Sequence, residues 1–317
     1  MEHFWIRLTL KVSFVATLCL LQISSSWGQE NLSSQPEHPL ENQSEKQAEK
    51  QAEKHSERQL EEPPGKEGEK KESLTRGQKT LLLNAGAMGT VFVYGLVKWD
   101  YGKQSFHTEN EGWFERDTMY GGADKLGHFW SSYALSHLIS YAYRKWGYAE
   151  SEANLYGGLS NLGIQTFMEI ADGFSSQGFS YEDFLMNILG TGVAYIWGKV
   201  PNLARKIDFR MEYTPEFDHN DFSFSTNYES QRFLIAVKAD GFDVIKNPYL
   251  RYLEFHVGYY ARGFNHLHEG GLGDRRRHLY VGLGFNVSKL AQEFLDTKVF
   301  NYVQIPYTSV RKSVLSD

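Results

Sequence analysis

Asp124-Lys125-Leu126-Gly127-His128 sets a carboxylate and an imidazole four residues apart, a spacing that puts both on one face of a helix. Two acidic clusters follow, Glu169-Ile170-Ala171-Asp172-Gly173 and Asp183-Phe184-Leu185-Met186-Asn187. In each, the polar pair again shares a helical face. Ionisable groups in such apolar surroundings are costly unless paired. Three clusters on three successive helices therefore predict one shared polar centre. Carboxylates crowded into a dry site repel, so at least one keeps its proton and their pKa values separate. Such a set can serve as general acid and base. His128 would be the base or a metal ligand and Asp124 would orient it. Glu169, Asp172 and Asp183 would supply the second acid, base or ligand, and Asn187 would donate a hydrogen bond to a charged oxygen. Histidine with carboxylates could instead hold a divalent metal. A third reading is a polar network that only fixes helix register. Asp124 then supports the helix dipole, and His128 is a hydrogen-bonded core residue beside Phe129, Trp130 and Tyr133. Lys125 is expected to point away, toward the helix entry. Metal and cofactor are left open.

Four helical segments must position these groups: Thr80 to Trp99, Lys125 to Trp146, Glu152 to Ile170 and Tyr181 to Val200. Gly173 and Pro201 lie just beyond the last two, as stop signals should. The linker Phe174 to Phe179, flanked by Gly173 and Gly178, allows a flexible antiparallel return that brings Glu169 or Asp172 close to Asp183. Gly86, Gly89, Gly157, Gly158, Gly163, Gly190 and Gly192 would let helices approach closely. Each segment is near the ~20 residues that cross a bilayer. The loop charges oppose simple spanning. With the N-terminus exported, Lys103 and Arg116 would lie inside, while Arg144, Lys145, Lys199, Arg205, Lys206 and Arg210 would lie outside, against the positive-inside rule. A compact bundle, free or lying against a membrane, is the expectation, and four spans are the alternative.

From residue 207 the pattern alternates. Leu253, Phe255, Val257, Tyr259 and Ala261 share one strand face, with Tyr252, Glu254, His256 and Arg262 opposite. Leu279, Val281, Leu283, Phe285 and Val287 repeat this against Gly282, Gly284 and Asn286, and Phe233, Ile235 and Val237 form a third run. Period-two patterning with Gly and Asp between runs indicates antiparallel strands. The strands are too few for a closed membrane barrel, which needs about 8, so a small sheet packed on the helices is expected. Ser288 to Asp296 reads as a short helix capped by Ser288. Arg275-Arg276-Arg277 reads as a solvated loop.

The N-terminus has Arg7 and Lys11, an apolar run from Val12 to Ile23 and small residues at Ser24-Ser25-Ser26-Trp27-Gly28, the tripartite form of a secretory leader. Cys19 is the single cysteine. It follows Leu18 rather than a small residue, which argues against lipid attachment there. Cleavage near Gly28 leaves no cysteine, so disulfides, thiolate metal sites and thiol catalysis are excluded from the mature chain. Residues 29–76 are rich in Glu, Gln, Lys, Ser and Pro. Glu45-Lys46-Gln47-Ala48 recurs as Glu49-Lys50-Gln51-Ala52 and Glu53-Lys54 without an apolar seam, and Pro63-Pro64-Gly65 stops any helix. This is the composition of a disordered tether. The net charge of −6 is mild, and no basic cluster suits nucleic acid.

The order Asp-Lys-x-Gly-His, Glu-x-x-Asp-Gly, then Phe179-Ser180-Tyr181-Glu182-Asp183-Phe184-Leu185-Met186-Asn187-Ile188-Leu189-Gly190 resembles the YfiM-like family of uncharacterised, predicted periplasmic proteins. The resemblance covers about residues 80–315, including Gly258-Tyr259-Tyr260-Ala261-Arg262-Gly263. A more remote similarity links Asp-Lys-x-x-His and Asp-x-x-x-Asn-x-x-Gly to VanZ-type membrane proteins of glycopeptide resistance. The resemblance implies an envelope protein. It departs from the lipoprotein pattern at Cys19 and supplies no reaction.

These readings give an α+β chain: a leader (1–28), a linker (29–76), a helical domain (77–206) with a four-helix core, and an antiparallel β-rich domain (207–317). An exported protein of the periplasm or an envelope membrane is expected. Its role would be that of a scaffold or accessory factor built round the His/carboxylate cluster, or a hydrolase or transferase acting on a lipid-linked or cell-wall substrate. The partner would be an envelope membrane or a cell-wall component, not nucleic acid; any protein partner is open.

Overall fold

Thr75 caps the first helix reciprocally with Gln78. The Gln78 amide donates to Thr75 Oγ1 at 3.3 Å, and the Thr75 amide donates to Gln78 Oε1 at 2.9 Å, a capping box. In the computed structural model the described residues are 74–214, 227–264, 274–295 and 297–317; the leader with Cys19, the Glu/Lys/Gln repeats and Pro63-Pro64-Gly65 lie outside them. The helices are α1 (Arg76–Lys98), α2 (Ala123–Lys145), α3 (Glu150–Asp172), α4 (Tyr181–Lys199), the single turn α5 (Pro201–Ala204) and α6 (Val287–Phe294). The first four match the expected segments to within a few residues, as fraying ends allow.

Among the described residues α1 alone is long and apolar enough to cross a membrane, by length and composition. Its inner side packs Leu83, Ala87, Met88 and Val91 on Ile139, Tyr143, Ala153 and Ile164. Asn84 interrupts the apolar run for a reason: its amide donates to the Tyr143 hydroxyl at 2.9 Å. The opposite side leaves Leu81, Leu82, Phe92, Val93, Leu96 and Val97 exposed.

The bundle of α2, α3 and α4 is polar and small inside and apolar outside. Ser132, Ser136, Ser140, Asn154, Asn161, Gln165, Asn187 and Thr191 are buried, while Leu155, Leu159, Ile170, Leu185, Leu189 and Ile196 are exposed. Close approach depends on particular glycines. A Cβ on Gly190 would overlap the Phe129 carbonyl oxygen, and one on Gly157 would overlap Ser140. Gly86, Gly89 and Gly192 face open space instead.

The short strands β1 (Thr108–Glu109) and β2 (Phe179–Ser180) pair in parallel, Thr108 against Phe179. The main sheet has the order β7-β3-β4-β5-β6-β8, with β3 (Ile207–Tyr213), β4 (Gln231–Lys238), β5 (Leu253–Arg262), β6 (Arg276–Phe285), β7 (Val303–Gln304) and β8 (Ser309–Ser316). It is antiparallel from β3 to β8, but β7 runs parallel to β3, so the sheet is mixed rather than wholly antiparallel. The sheet curls until its edge regions meet: Arg311 on β8 donates to Glu212 on β3 at 2.9 Å.

The inner face of that curl holds a charged network beside an apolar cluster of Leu234, Ala236 and Tyr280. Arg210, 1% exposed, pairs with Asp208 at 2.7 Å and Glu254 at 2.8 Å. Lys238 holds Asp208 at 2.7 Å, and His256 lies 2.8 Å from Glu254. The Tyr280 ring lies where a Cβ on Gly258 would be, and the His256 ring does the same at Gly284. The outer face is apolar, and the helices cover only part of it. Ala123, Leu126 and Trp130 pack on Met211, Phe233 and Ala261, and Phe209 meets Phe129, Tyr133 and Trp197. Leu253, Phe255, Leu279, Leu283 and Phe285 remain exposed. Helix-on-sheet packing is therefore present but partial, reaching β3, β4 and the C-terminal end of β5.

Two local expectations are corrected. Asn286, not Ser288, caps α6, accepting from the Lys289 amide at 3.0 Å; Ser288 already lies inside the first turn. Arg275 is buried, not solvated, and donates to the carbonyls of Arg116 and Thr118. Arg277 likewise donates to the Phe114 carbonyl.

The glycine contacts give a paired test. Gly190→Ala should separate α2 from α4 and cost about 1–3 kcal/mol, read by thermal or urea denaturation. Gly192→Ala, which meets no neighbour, should be neutral or stabilise by up to ~1 kcal/mol. Equal effects from the two substitutions would mean that α2 and α4 do not meet at Gly190.

Candidate functional site

Gly121 and Gly122 turn the chain into α2, both at positive φ (60° and 79°). A Cβ on Gly121 would strike the Phe264 ring, and one on Gly122 would strike Phe114 and the Trp113 carbonyl. This tight entry buries Ala123, Asp124 and Lys125 at the start of the helix. On the facing helix Ser180 caps α4 by accepting from the Asp183 amide at 3.2 Å, which places Asp183 in the first turn. The β1–β2 pairing then carries Glu111 to the same place, and the Gly112 amide donates to Glu182 Oε1 at 3.1 Å.

Lys125 ends among these carboxylates. Its Nζ bonds Glu111 and lies 2.8 Å from Asp124 Oδ2 and 3.0 Å from Asp183 Oδ1, with its side chain 1% exposed. It was expected to point away, but its long stem lets the ammonium swing back across the helix entry. The oxygens of Glu111, Asp124 and Asp183 lie within 4.8 Å of one another, close enough to hold a metal ion. The ammonium already forms an ion pair with each of the three, so a divalent cation would have to displace it. The donor set as built suits lysine.

His128 stands one turn further along α2. Its Nε2 is 3.7 Å from Asp183 Oδ2, and its Nδ1 is 3.3 Å from Glu169 Oε1, close but without an aligned hydrogen bond. Asn187 donates to that same Glu169 oxygen at 3.0 Å. Asn187 Oδ1 in turn accepts from Ser132 Oγ at 2.8 Å and Gln165 Nε2 at 3.2 Å, so its amide orientation is fixed. Asp124, His128, Glu169, Asp183 and Asn187 thus form one centre across α2, α3 and α4. Asp172 lies one turn beyond Glu169 with its carboxyl close to the Tyr101 hydroxyl. A cavity of about 390 Å³ opens onto the group, lined by His128, Glu169, Asp172 and Asp183 with Tyr120, Trp130 and Gln165.

Burial and charge divide the protons. Burial pushes Glu169 up to about 8; the nearby His128 opposes this and Asp183 adds to it. Burial also raises Asp172 to about 6, with the Tyr101 hydroxyl offsetting part of the shift. Burial disfavours charge on His128, but Asp183, Glu169 and Asp124 outweigh it and raise the imidazole. Lys125 is raised in the same way, its three carboxylates overcoming desolvation. At neutral pH the centre therefore holds a protonated Glu169 carboxyl and an ionised Asp172, beside an imidazole whose pKa is raised above its ordinary value. Glu169 Oε1 faces both His128 and Asn187, which leaves Oε2 to carry the proton.

Sequence reasoning missed Glu111, Tyr101, Gln165 and the inward reach of Lys125. Glu111 sits in the aperiodic run Thr108 to Arg116, and only the β1–β2 register brings it in. Gln165 did carry a signal, since it lies one turn before Glu169 on the same helical face.

Lys125→Met should leave three carboxylates buried without their cation and destabilise the protein by about 3–5 kcal/mol at neutral pH. Acidification should recover part of that loss as the carboxylates take up protons, and urea titrations at two pH values would show it. Glu169 gives a second test. Its pKa is raised on folding, so its contribution is full below about 4.5 and is lost as pH rises through about 8. His128 and Asp172 are also raised and carry the same sign. The melting temperature should fall between about pH 5 and pH 8, and Glu169→Gln should flatten the fall. An unchanged slope would remove Glu169 from the proton inventory.

Residues 110–199 match the model of a family described as "Predicted periplasmic lipoprotein (DUF2279)". The matched stretch contains Glu111, Asp124, Lys125, His128, Glu169, Asp172, Asp183 and Asn187, so the whole centre lies within the shared region. That description is of lipoproteins, and Cys19 lies outside the described residues. No curated protein and no solved structure matches the chain. The chain is an exported protein, periplasmic or associated with an envelope membrane.

Proposed function

We propose that the cavity is a general acid–base centre of a hydrolase or transferase acting in the cell envelope. The observation that carries this reading is the approach of His128 to Glu169, at 3.3 Å, on the wall of a cavity of about 390 Å³. A polar network built only to lock helices has no need of a cavity beside its titrating groups. Asp172, ionised at neutral pH, serves as the base that takes a proton from the attacking hydroxyl or water. His128, its imidazole pKa raised by Asp183 and Glu169, carries a proton and returns it to the leaving group. Separated pKa values within one site are the usual basis for such a division of roles.

Charge narrows the substrate. Glu111, Asp124, Asp172 and Asp183 outnumber Lys125 and His128, so an anionic reacting group is repelled. A neutral, hydroxyl-rich or amine-bearing group suits the cavity, and the rings of Tyr120 and Trp130 offer it apolar faces. A lipid-linked or cell-wall substrate fits both this chemistry and the envelope location. The YfiM-like motif order and the remoter VanZ likeness support an envelope role without selecting the reaction.

The scaffold reading has its own observation. Asn161 donates to the Ser132 carbonyl at 3.2 Å and to Thr191 Oγ1 at 2.9 Å, and with Gln165 and Asn187 this ties three helices together. His128→Asn and Asp172→Asn separate the two readings. Catalysis predicts variants whose melting temperature stays near the parent's but which fail to complement a deletion strain. Turnover of lipid-linked or wall intermediates, followed by mass spectrometry, should fall ~10²-fold or more. Activity lost only in proportion to lost folded protein would mean a scaffold.

A further inference from the structure

The strand register gathers one set of connections at a single end of the sheet. Ile207 pairs with Val237, Lys238 with Glu254, Leu253 with Phe285, and Gly284 with Ser309. The turn α5 and the segments 239–252, 286–302 and 305–308 therefore lead into or out of the strands there. Four apolar or aromatic tips project from this end: Val244 (82% exposed), Tyr249 (83%), Phe294 (78%) and Tyr307 (86%). Tyr307 is held out on a turn at positive φ, 66°, a conformation a bulky residue rarely adopts. The apolar outer face of the sheet begins directly above, at Leu253, Phe255, Leu283 and Phe285.

Lys199, Lys246 and Lys298 are exposed among these tips. Among the described residues, Asp243 is engaged by Arg205 at 3.0 Å, Glu293 by Lys289 at 3.2 Å, and Asp240 by the Asn286 amide at 3.0 Å. Aromatic tips set beside exposed lysines, continuous with an apolar face, are the elements of an interfacial membrane anchor. A second copy of the chain fits less well, because a two-fold contact here would bring this lysine-bearing end against an identical one.

We infer that this end of the sheet docks onto a bilayer rich in anionic phospholipid, with Tyr249, Phe294 and Tyr307 entering the interface and Lys246 and Lys298 meeting the headgroups. The inference is independent of the acid–base centre.

The test uses the full chain carrying Cys19→Ser, with single cysteines introduced by Phe294→Cys or Tyr307→Cys. Asp117→Cys marks the opposite end, where Arg275 and Arg277 reach the 114–118 loop. Each is labelled with a polarity-sensitive fluorophore. The proteins are mixed with phosphatidylethanolamine–phosphatidylglycerol vesicles containing a spin-labelled quencher lipid, or with phosphatidylcholine vesicles. Because the readout is local, anchoring through the leader alone would not imitate docking. The expected result is a blue shift and at least twofold quenching at the Phe294 and Tyr307 positions on anionic vesicles, with the Asp117 position unchanged. Combining Lys246→Glu with Lys298→Glu should weaken the effect several-fold, as should added salt. No shift at the two tips, or equal quenching at Asp117, would overturn the inference. So would a shift that grows with protein concentration in the absence of vesicles, which would indicate self-association.

Discussion

Glu111, Asp124 and Asp183 come from a loop, from the entry of α2 and from the entry of α4, and they meet around the single ammonium of Lys125. Each buried ion costs several kcal/mol in lost hydration, so this meeting is tolerable only with the cation at its centre. The surrounding backbone is shaped to deliver it. Gly121 and Gly122 bend the chain so that α2 opens with Asp124 and Lys125 already buried. Ser180 starts α4 at the position that aims Asp183 inward. The β1–β2 pairing brings in Glu111. If Lys125 were displaced, none of these three arrangements would retain an electrostatic reason to close.

One cation against three carboxylates leaves a residual negative field, and the second tier of the site is built on it. That field raises the pKa of the His128 imidazole and, together with burial, keeps a proton on Glu169. Ser132 and Gln165 fix the Asn187 amide by occupying its oxygen, so its nitrogen must face Glu169. Lys125 Nζ gathers its three carboxylates into ion pairs, and Glu111, Asp124 and Asp183 border the same cavity as His128, whose own contacts are near but unaligned. Asp183 links the two tiers, pairing with Lys125 through Oδ1 and facing His128 through Oδ2.

The helices were legible because their apolar runs were long and their stop signals, Gly173 and Pro201, were local. The polar centre was legible for the same reason: Asp124 with His128, and Asp183 with Asn187, carry helical spacing in the sequence itself. Glu111 was not, because its position depends on a parallel pairing between two-residue strands far apart in the chain. Lys125 was misread because spacing fixes the direction of a Cβ and not the reach of a four-carbon stem. The strands were visible as alternation, but alternation does not say which face is inside. In β5 and β6 the charged and glycine face turned inward, where Arg210, Glu254 and His256 could pair. That outcome depends on a partner strand, β3, whose own Asp208 and Arg210 point the same way.

The two halves of the described unit therefore share one inversion. The bundle buries serine, asparagine and glycine and exposes leucine; the curled sheet buries arginine and glutamate and exposes phenylalanine. In an ordinary water-soluble core, apolar burial supplies most of the cohesion and tolerates exchange among residues of similar size. Here much of the interior is held by hydrogen bonds and ion pairs, whose loss leaves unsatisfied partners in a dry place. Specificity accordingly resides in single polar atoms such as Asn187 Nδ2, Lys125 Nζ and Arg210 Nη1. The outer apolar faces, in contrast, have few neighbours in the fold to constrain them. Their composition is therefore free of the packing constraints that fix the interior.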